Sequence, residues 1–108
     1  MTLDTYISPK ISLSEKRLTV ILARDEALVC AFCPELDLVT EMPTPNEALE
    51  DMLEAVQDYA AEYLEELEIY QNSPNRGHHL PYIQAIAACK DAWDIRMLIE
   101  VHHGRIQV

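Results

Sequence analysis

The segment Thr44-Pro45-Asn46-Glu47 constrains this chain more than any other four residues, because it has the composition of a helix start. A threonine hydroxyl can cap the free amides of a first turn, and proline fits the first helical position, where no N–H partner is needed. Glu47, three residues past the threonine, can reach back to the Thr44 amide and complete a capping box. Beyond it Leu49, Met52, Leu53, Val56, Ala60, Tyr63, Leu64 and Leu67 recur at spacings of three and four. That period predicts one long amphipathic helix, from Thr44 to about Ile69, with its apolar stripe packed on a sheet.

The opposite stripe of the same helix is one-signed. Glu47, Glu50, Asp51, Glu54, Asp58 and Glu65 fall there, and from Asp25 through Asn75 the chain carries fourteen acids and no Lys or Arg. Pairs such as Glu50/Glu54 and Glu54/Asp58 repel at i,i+4, by about 0.2–0.5 kcal/mol each in an isolated helix. Glu65, Glu66 and Glu68 crowd the C-terminal end, where the helix dipole favours cations. A stripe that weakens its own helix fits the docking and steering of a basic partner, with solubility as the plainer alternative. Glu47, Glu50, Asp51, Glu54 and Asp58 are the candidate partner-binding residues.

The net charge of −11 arises in that middle stretch, since the two ends carry all eight Lys and Arg against five acids. A phosphate backbone would be repelled there, so nucleic acid is not the expected ligand. Arg76, Lys90, Arg96 and Arg105 are spread over thirty residues. Binding of DNA by the isolated chain is therefore not expected, unless an oligomer gathers Lys10, Lys16 and Arg17 into a basic surface. With 108 residues and 49% hydrophobic content, the chain reads as one folded domain. Its apolar runs are too short to span a membrane, residues 1–10 lack a secretory signal, and three cysteines suit a reducing compartment, so a cytoplasmic location is expected.

Three pieces follow from the patterning. Residues 1–15 read as an N-terminal arm. Residues 16–70 hold three strands and the long helix. Leu18, Val20 and Leu22 share one face of a first strand, Asp25 and Glu26 mark a turn, Ala27 to Cys33 forms the second strand, and Leu38 to Thr40 the third. Asn72 to Gly77 ends the long helix. Residues 71–108 form a C-terminal extension of the same domain, with a second helix from Pro81 to about Trp93. Alternation of Ile95, Met97, Ile99 and Val101 with polar residues favours an extra strand, with a continued helix as the alternative. The expected fold class is α+β, a three-stranded antiparallel sheet packed by one long helix.

Val29-Cys30-Ala31-Phe32-Cys33-Pro34-Glu35-Leu36-Asp37-Leu38-Val39-Thr40-Glu41, followed by Thr44-Pro45-Asn46-Glu47-Ala48-Leu49, resembles the N-terminal domain of HicB-family antitoxins. In that family a strand ending in a Pro-acid-Leu turn leads to a short Val-Thr strand and then to a Thr-x-x-Glu-Ala-Leu helix start. The similarity covers roughly Leu18 to Leu67. It implies a partial ribonuclease-H-like sandwich that binds and neutralises a small basic HicA-type ribonuclease. Met42 and Pro43 stand where the family usually has a glycine, and residues 76–108 match neither a helix-turn-helix nor a ribbon-helix-helix.

Cys30-Ala31-Phe32-Cys33 matches C-x-x-C, but on a strand positions three apart face opposite ways, so the pair reads as structural and no zinc site is expected. His78-His79 and His102-His103 read as exposed turn histidines. No nucleophile elbow or gathered carboxylate set is present, so neither catalysis nor a cofactor is expected. A rival to the antitoxin reading is a non-catalytic oligomeric interaction module, with Tyr82, Ile86, Trp93 and Met97 as the interface. A homo-oligomer built in part on those residues is expected in either case.

Overall fold

The alternation of Leu18, Val20 and Leu22 seats three apolar side chains on one face of a strand, and the rest of the molecule is assembled on that face. The computed structural model describes residues 17–105, so the N-terminal arm expected over residues 1–15 lies outside the described residues. Three strands run as an antiparallel meander: β1 (Leu18–Asp25), β2 (Leu28–Cys33) and β3 (Leu38–Met42). Between β1 and β2, Glu26 takes a left-handed φ of 55° at the first loop position, where hairpins ordinarily place glycine. Leu18, Val20, Leu22, Val29, Ala31 and Cys33 are all buried on the inner face.

Across that face lies α1 (Pro45–Glu65), started as the sequence predicts: the Thr44 hydroxyl accepts from the Glu47 amide at 3.2 Å. The reciprocal bond from Glu47 to the Thr44 amide is absent among the described residues. Met52, Val56 and Tyr63 are fully buried, and burial stabilises side chains of this size by about 1.5–3 kcal/mol each. The stripe is rotated slightly from expectation. Ala48 and Tyr59 are buried, whereas Leu49 is half-buried and Leu64 is 40% exposed.

Three expectations need correction. The long helix does not run unbroken to Ile69: Glu66 leaves helical geometry, at φ −117° and ψ 45°, and a separate α2 (Leu67–Gln71) follows. The end of α1 has no basic residue to answer its dipole. Across the break, the Tyr70 ring stacks on Tyr63 with centroids 5.1 Å apart. The second helix also splits, into α3 (Leu80–Ala87) and α4 (Ala92–Leu98). The Asp91 carboxylate caps α4 by accepting from the Asp94 amide at 3.0 Å, while Asp94 accepts from the Lys90 amide at 3.0 Å.

Last, the alternation beginning at Ile95 is helical as far as Leu98, and only then does the chain enter β4 (Ile99–Arg105). β4 pairs in parallel with β1, giving a four-stranded sheet of order β3-β2-β1-β4. His102 and His103 consequently lie on a strand and not in a turn. Met42, preceding Pro43, closes β3 without the glycine of the resembled family.

Candidate functional site

The acidic stripe becomes the wall of a groove. Asn46, Glu50, Leu53 and Gln57 recur every three or four residues along α1, and with Glu47, Asp51, Glu54, Met42 and Ala92 they line a hollow of about 530 Å³. Four of the five candidate partner-binding residues therefore converge on one concave surface. Asp58 is exposed on α1 outside it. The floor is apolar and the carboxylates are close to water: Glu47, Glu50 and Glu54 are exposed, and Asp51 is half-buried.

One carboxylate already holds a cation. Arg96 of α4 places Nη2 2.7 Å from Glu50 Oε1, linking residues 46 positions apart. With the two side chains 47% and 68% exposed, the pair contributes about 0–1 kcal/mol. Glu47, Asp51, Glu54 and Asp58 have no cationic partner among the described residues. Sequence reasoning missed Arg96 and Ala92, for which the Asp91-Ala92-Trp93-Asp94 cap is the local signal: it sets the register of α4 against α1.

A second polar cluster gathers where a 3-10 turn (Gly77–His79) meets α1. His79 is 1% exposed, contrary to the expectation of a turn histidine on the surface. The 3-10 turn directs it inward, where Nδ1 lies 2.7 Å from the Tyr59 hydroxyl. Arg76 sits over the Tyr59 and Tyr70 rings at 5.3 and 5.7 Å. The other ring nitrogen of His79, Nε2, has no hydrogen-bond partner and lies 3.9 Å from Asp37 Oδ2. Burial first, and then His78, push the His79 pKa down, while Asp37 pulls it back up. The Tyr63 hydroxyl donates to the Arg76 carbonyl at 2.9 Å. This cluster anchors the loop to α1.

The C-x-x-C pair divides across the sheet as its strand position predicts. Cys33 is fully buried and Cys30 half-buried on the other face. Burial, reinforced by Glu35, pushes the Cys33 thiol up to about 12, and burial and Glu41 raise Cys30. Among the described residues no group of three or more His, Cys, Asp or Glu is arranged to hold a metal ion. Nor is any described helix long and apolar enough to cross a membrane.

Of the four expected interface residues, Ile86 is 4% exposed in the core, Tyr82 and Met97 are half-buried, and Trp93 is 68% exposed. Among these, only Trp93 presents a large apolar surface to solvent.

A family model described as PHD-like, an antitoxin of RelE/RelB toxin-antitoxin systems, matches residues 12–101. The chain belongs to this antitoxin family. Among curated proteins, none matches it. A crystal structure from Syntrophomonas wolfei subsp. wolfei, assigned as the antitoxin part of a toxin/antitoxin system, shares the fold at a TM-score of 0.73 and 20% identity. The match covers 82% of this antitoxin and 64% of the Syntrophomonas chain, so this antitoxin spans less than two thirds of that protein's length.

Proposed function

We propose that this antitoxin binds and neutralises a small basic toxin by direct protein–protein contact, in the cytoplasm, and that the toxin is a HicA-type ribonuclease. The observation that carries the reading is the convergence of Glu47, Glu50, Asp51 and Glu54 on one groove in a chain of this family. A ribonuclease must itself be basic where it holds RNA. An acidic surface is therefore complementary to the region whose masking abolishes activity. The HicA assignment rests on the Pro34-Glu35-Leu36 turn and the Thr44-Pro45-Asn46-Glu47-Ala48-Leu49 helix start.

The test is co-expression with the protein encoded by the neighbouring gene. Wild-type antitoxin should restore growth, and the double variant Glu50→Lys/Glu54→Lys should bind the toxin more slowly and with weaker salt dependence while keeping its fold. Restored growth with unchanged low-salt association of the double variant would rule out this face as the site. A toxin that is acidic, or that lacks ribonuclease activity, would rule out the HicA assignment.

A second reading, an oligomeric interaction module without a toxin, draws on the exposure of Trp93. Sedimentation distinguishes it: self-association abolished by Trp93→Glu, in a chain that protects against no neighbouring gene product, would favour the module.

A further inference from the structure

The acidic hollow does not stop at Gln57. The same residue lines a second hollow of about 230 Å³, walled by Ala60, Ala61 and Leu64 of α1 and floored by Ile86 and Ile95. Residues 46, 50, 53, 57, 61 and 64 follow the i, i+3, i+4 spacing of a single α1 stripe, so the two hollows lie end to end along the helix and meet at Gln57. Its upstream half carries four carboxylates over an apolar floor. The downstream half is small and apolar, and there the adjacent Lys90 and Asp91 cancel in charge. From Asn46 to Leu64 the groove follows roughly 27 Å of helix, the length of an α-helix of about 18 residues.

We propose that this groove seats one amphipathic α-helix of the basic partner, with its cations over Glu47 to Glu54 and its apolar residues over Ala61 and Leu64. This deepens the antitoxin reading and rests on it. Charge complementarity selects the occupant. Three of the four upstream carboxylates have no cation among the described residues, and the fourth holds the guanidinium of Arg96, which shows the chemistry the wall accepts. The small, exposed side chain of Ala61 leaves room for a second helix to approach α1. Arg96 competes for Glu50, so the partner's arginine displaces an internal one.

The test titrates a labelled synthetic helical peptide of about 18 residues, with a Lys/Arg half and an apolar half, against the full-length chain by fluorescence anisotropy. Saturable binding is expected. Arg96→Gln should tighten it several-fold by freeing Glu50, whereas Arg24→Gln, the same change in net charge on an exposed residue outside the groove, should not.

Ala61→Glu makes the discriminating variant, because it adds a negative charge while obstructing the apolar half. The groove requires it to weaken binding, by about tenfold or more, and general charge attraction requires the opposite. Glu54→Lys should weaken binding as well, and circular dichroism establishes that each variant is folded. No saturable binding, equal affinity for a peptide of the same composition with scrambled order, or tighter binding to Ala61→Glu would each overturn the proposal. Full toxin neutralisation by a folded Ala61→Glu variant would overturn the groove and leave the antitoxin reading standing. Failure of the wild-type chain to neutralise the toxin would overturn both.

Discussion

The Glu35 carboxylate accepts two hydrogen bonds from Thr19, one from the amide and one from the hydroxyl, each at 2.8 Å. Thr19 lies on β1 beyond the last residue of β2, so the side chain of Glu35 supplies the acceptor that a longer β2 would have provided. Its neighbour Leu36 is 1% exposed in the core. The Pro-acid-Leu turn is thus a clasp between the meander and the start of β1. Glu35→Ala should cost about 1–3 kcal/mol, as expected for a half-buried pair of bonds to a charged group. Glu35→Gln should cost less, because the amide oxygen still accepts one bond. Urea denaturation measures both.

Stability should fall on acidification in a way that depends on His79. Burial holds its folded pKa below the ordinary 6.5, so the unfolded chain takes up a proton first as pH drops through that value. The folded state is therefore favoured above about pH 6.5 and loses this contribution below it. His78 and Arg76 oppose protonation, Asp37 favours it, and Tyr59 faces Nδ1. Denaturation of wild type and His79→Gln between pH 7.5 and 5.5 should give a steeper pH dependence for wild type. Equal slopes would show that other groups govern it.

Gly77 tolerates no side chain. A Cβ there would come within 2.6 Å of the Gln71 carbonyl oxygen, a backbone atom that cannot swing aside. Gly77→Ala should destabilise the domain by about 1–3 kcal/mol as the loop shifts. The loosening should be greatest around His79, seen as faster hydrogen exchange in the 3-10 turn.

Thiol labelling should separate the cysteines. Cys33, buried with a pKa of about 12, has almost no thiolate at neutral pH and should resist alkylation until unfolding. Cys30, half-buried beside Glu41, should react first of the two. Simultaneous protection of both by zinc would contradict their placement on opposite faces of the sheet.

DNA should not be retained by the isolated chain. Arg96 is engaged with Glu50, and the remaining described cations are scattered. A gel shift with the chain's own upstream region at roughly 50 mM salt, where even non-specific binding is favoured, should give no saturable complex.

What could be read from the sequence was local. The Thr44 cap, a turn at Glu26 and the split of Cys30 from Cys33 follow from neighbours within a few residues, and the structure has all three, with the turn one residue later than expected, at Glu26 and Ala27. The acids at 47, 50, 51 and 54 could be grouped because helical period places them together. What escaped depended on distant partners. His79 is drawn inside by Tyr59, twenty residues earlier, and a histidine beside Gly77 carries no local mark of burial. The strand-like alternation from Ile95 to Leu98 was overridden because Asp91 caps a helix and Arg96 reaches Glu50 from it.

The parallel pairing of β4 with β1 has a consequence for how the chain is made. The meander and α1 are complete once the ribosome has passed Glu65, but Leu18 meets Ile99 and Ala23 meets Gly104 only some eighty residues after β1 itself emerges. Until then one edge of β1 stands open as a template for any strand nearby. A stalled or C-terminally clipped chain would expose that edge again, making the nascent antitoxin most vulnerable to aggregation and proteolysis just before synthesis of β4.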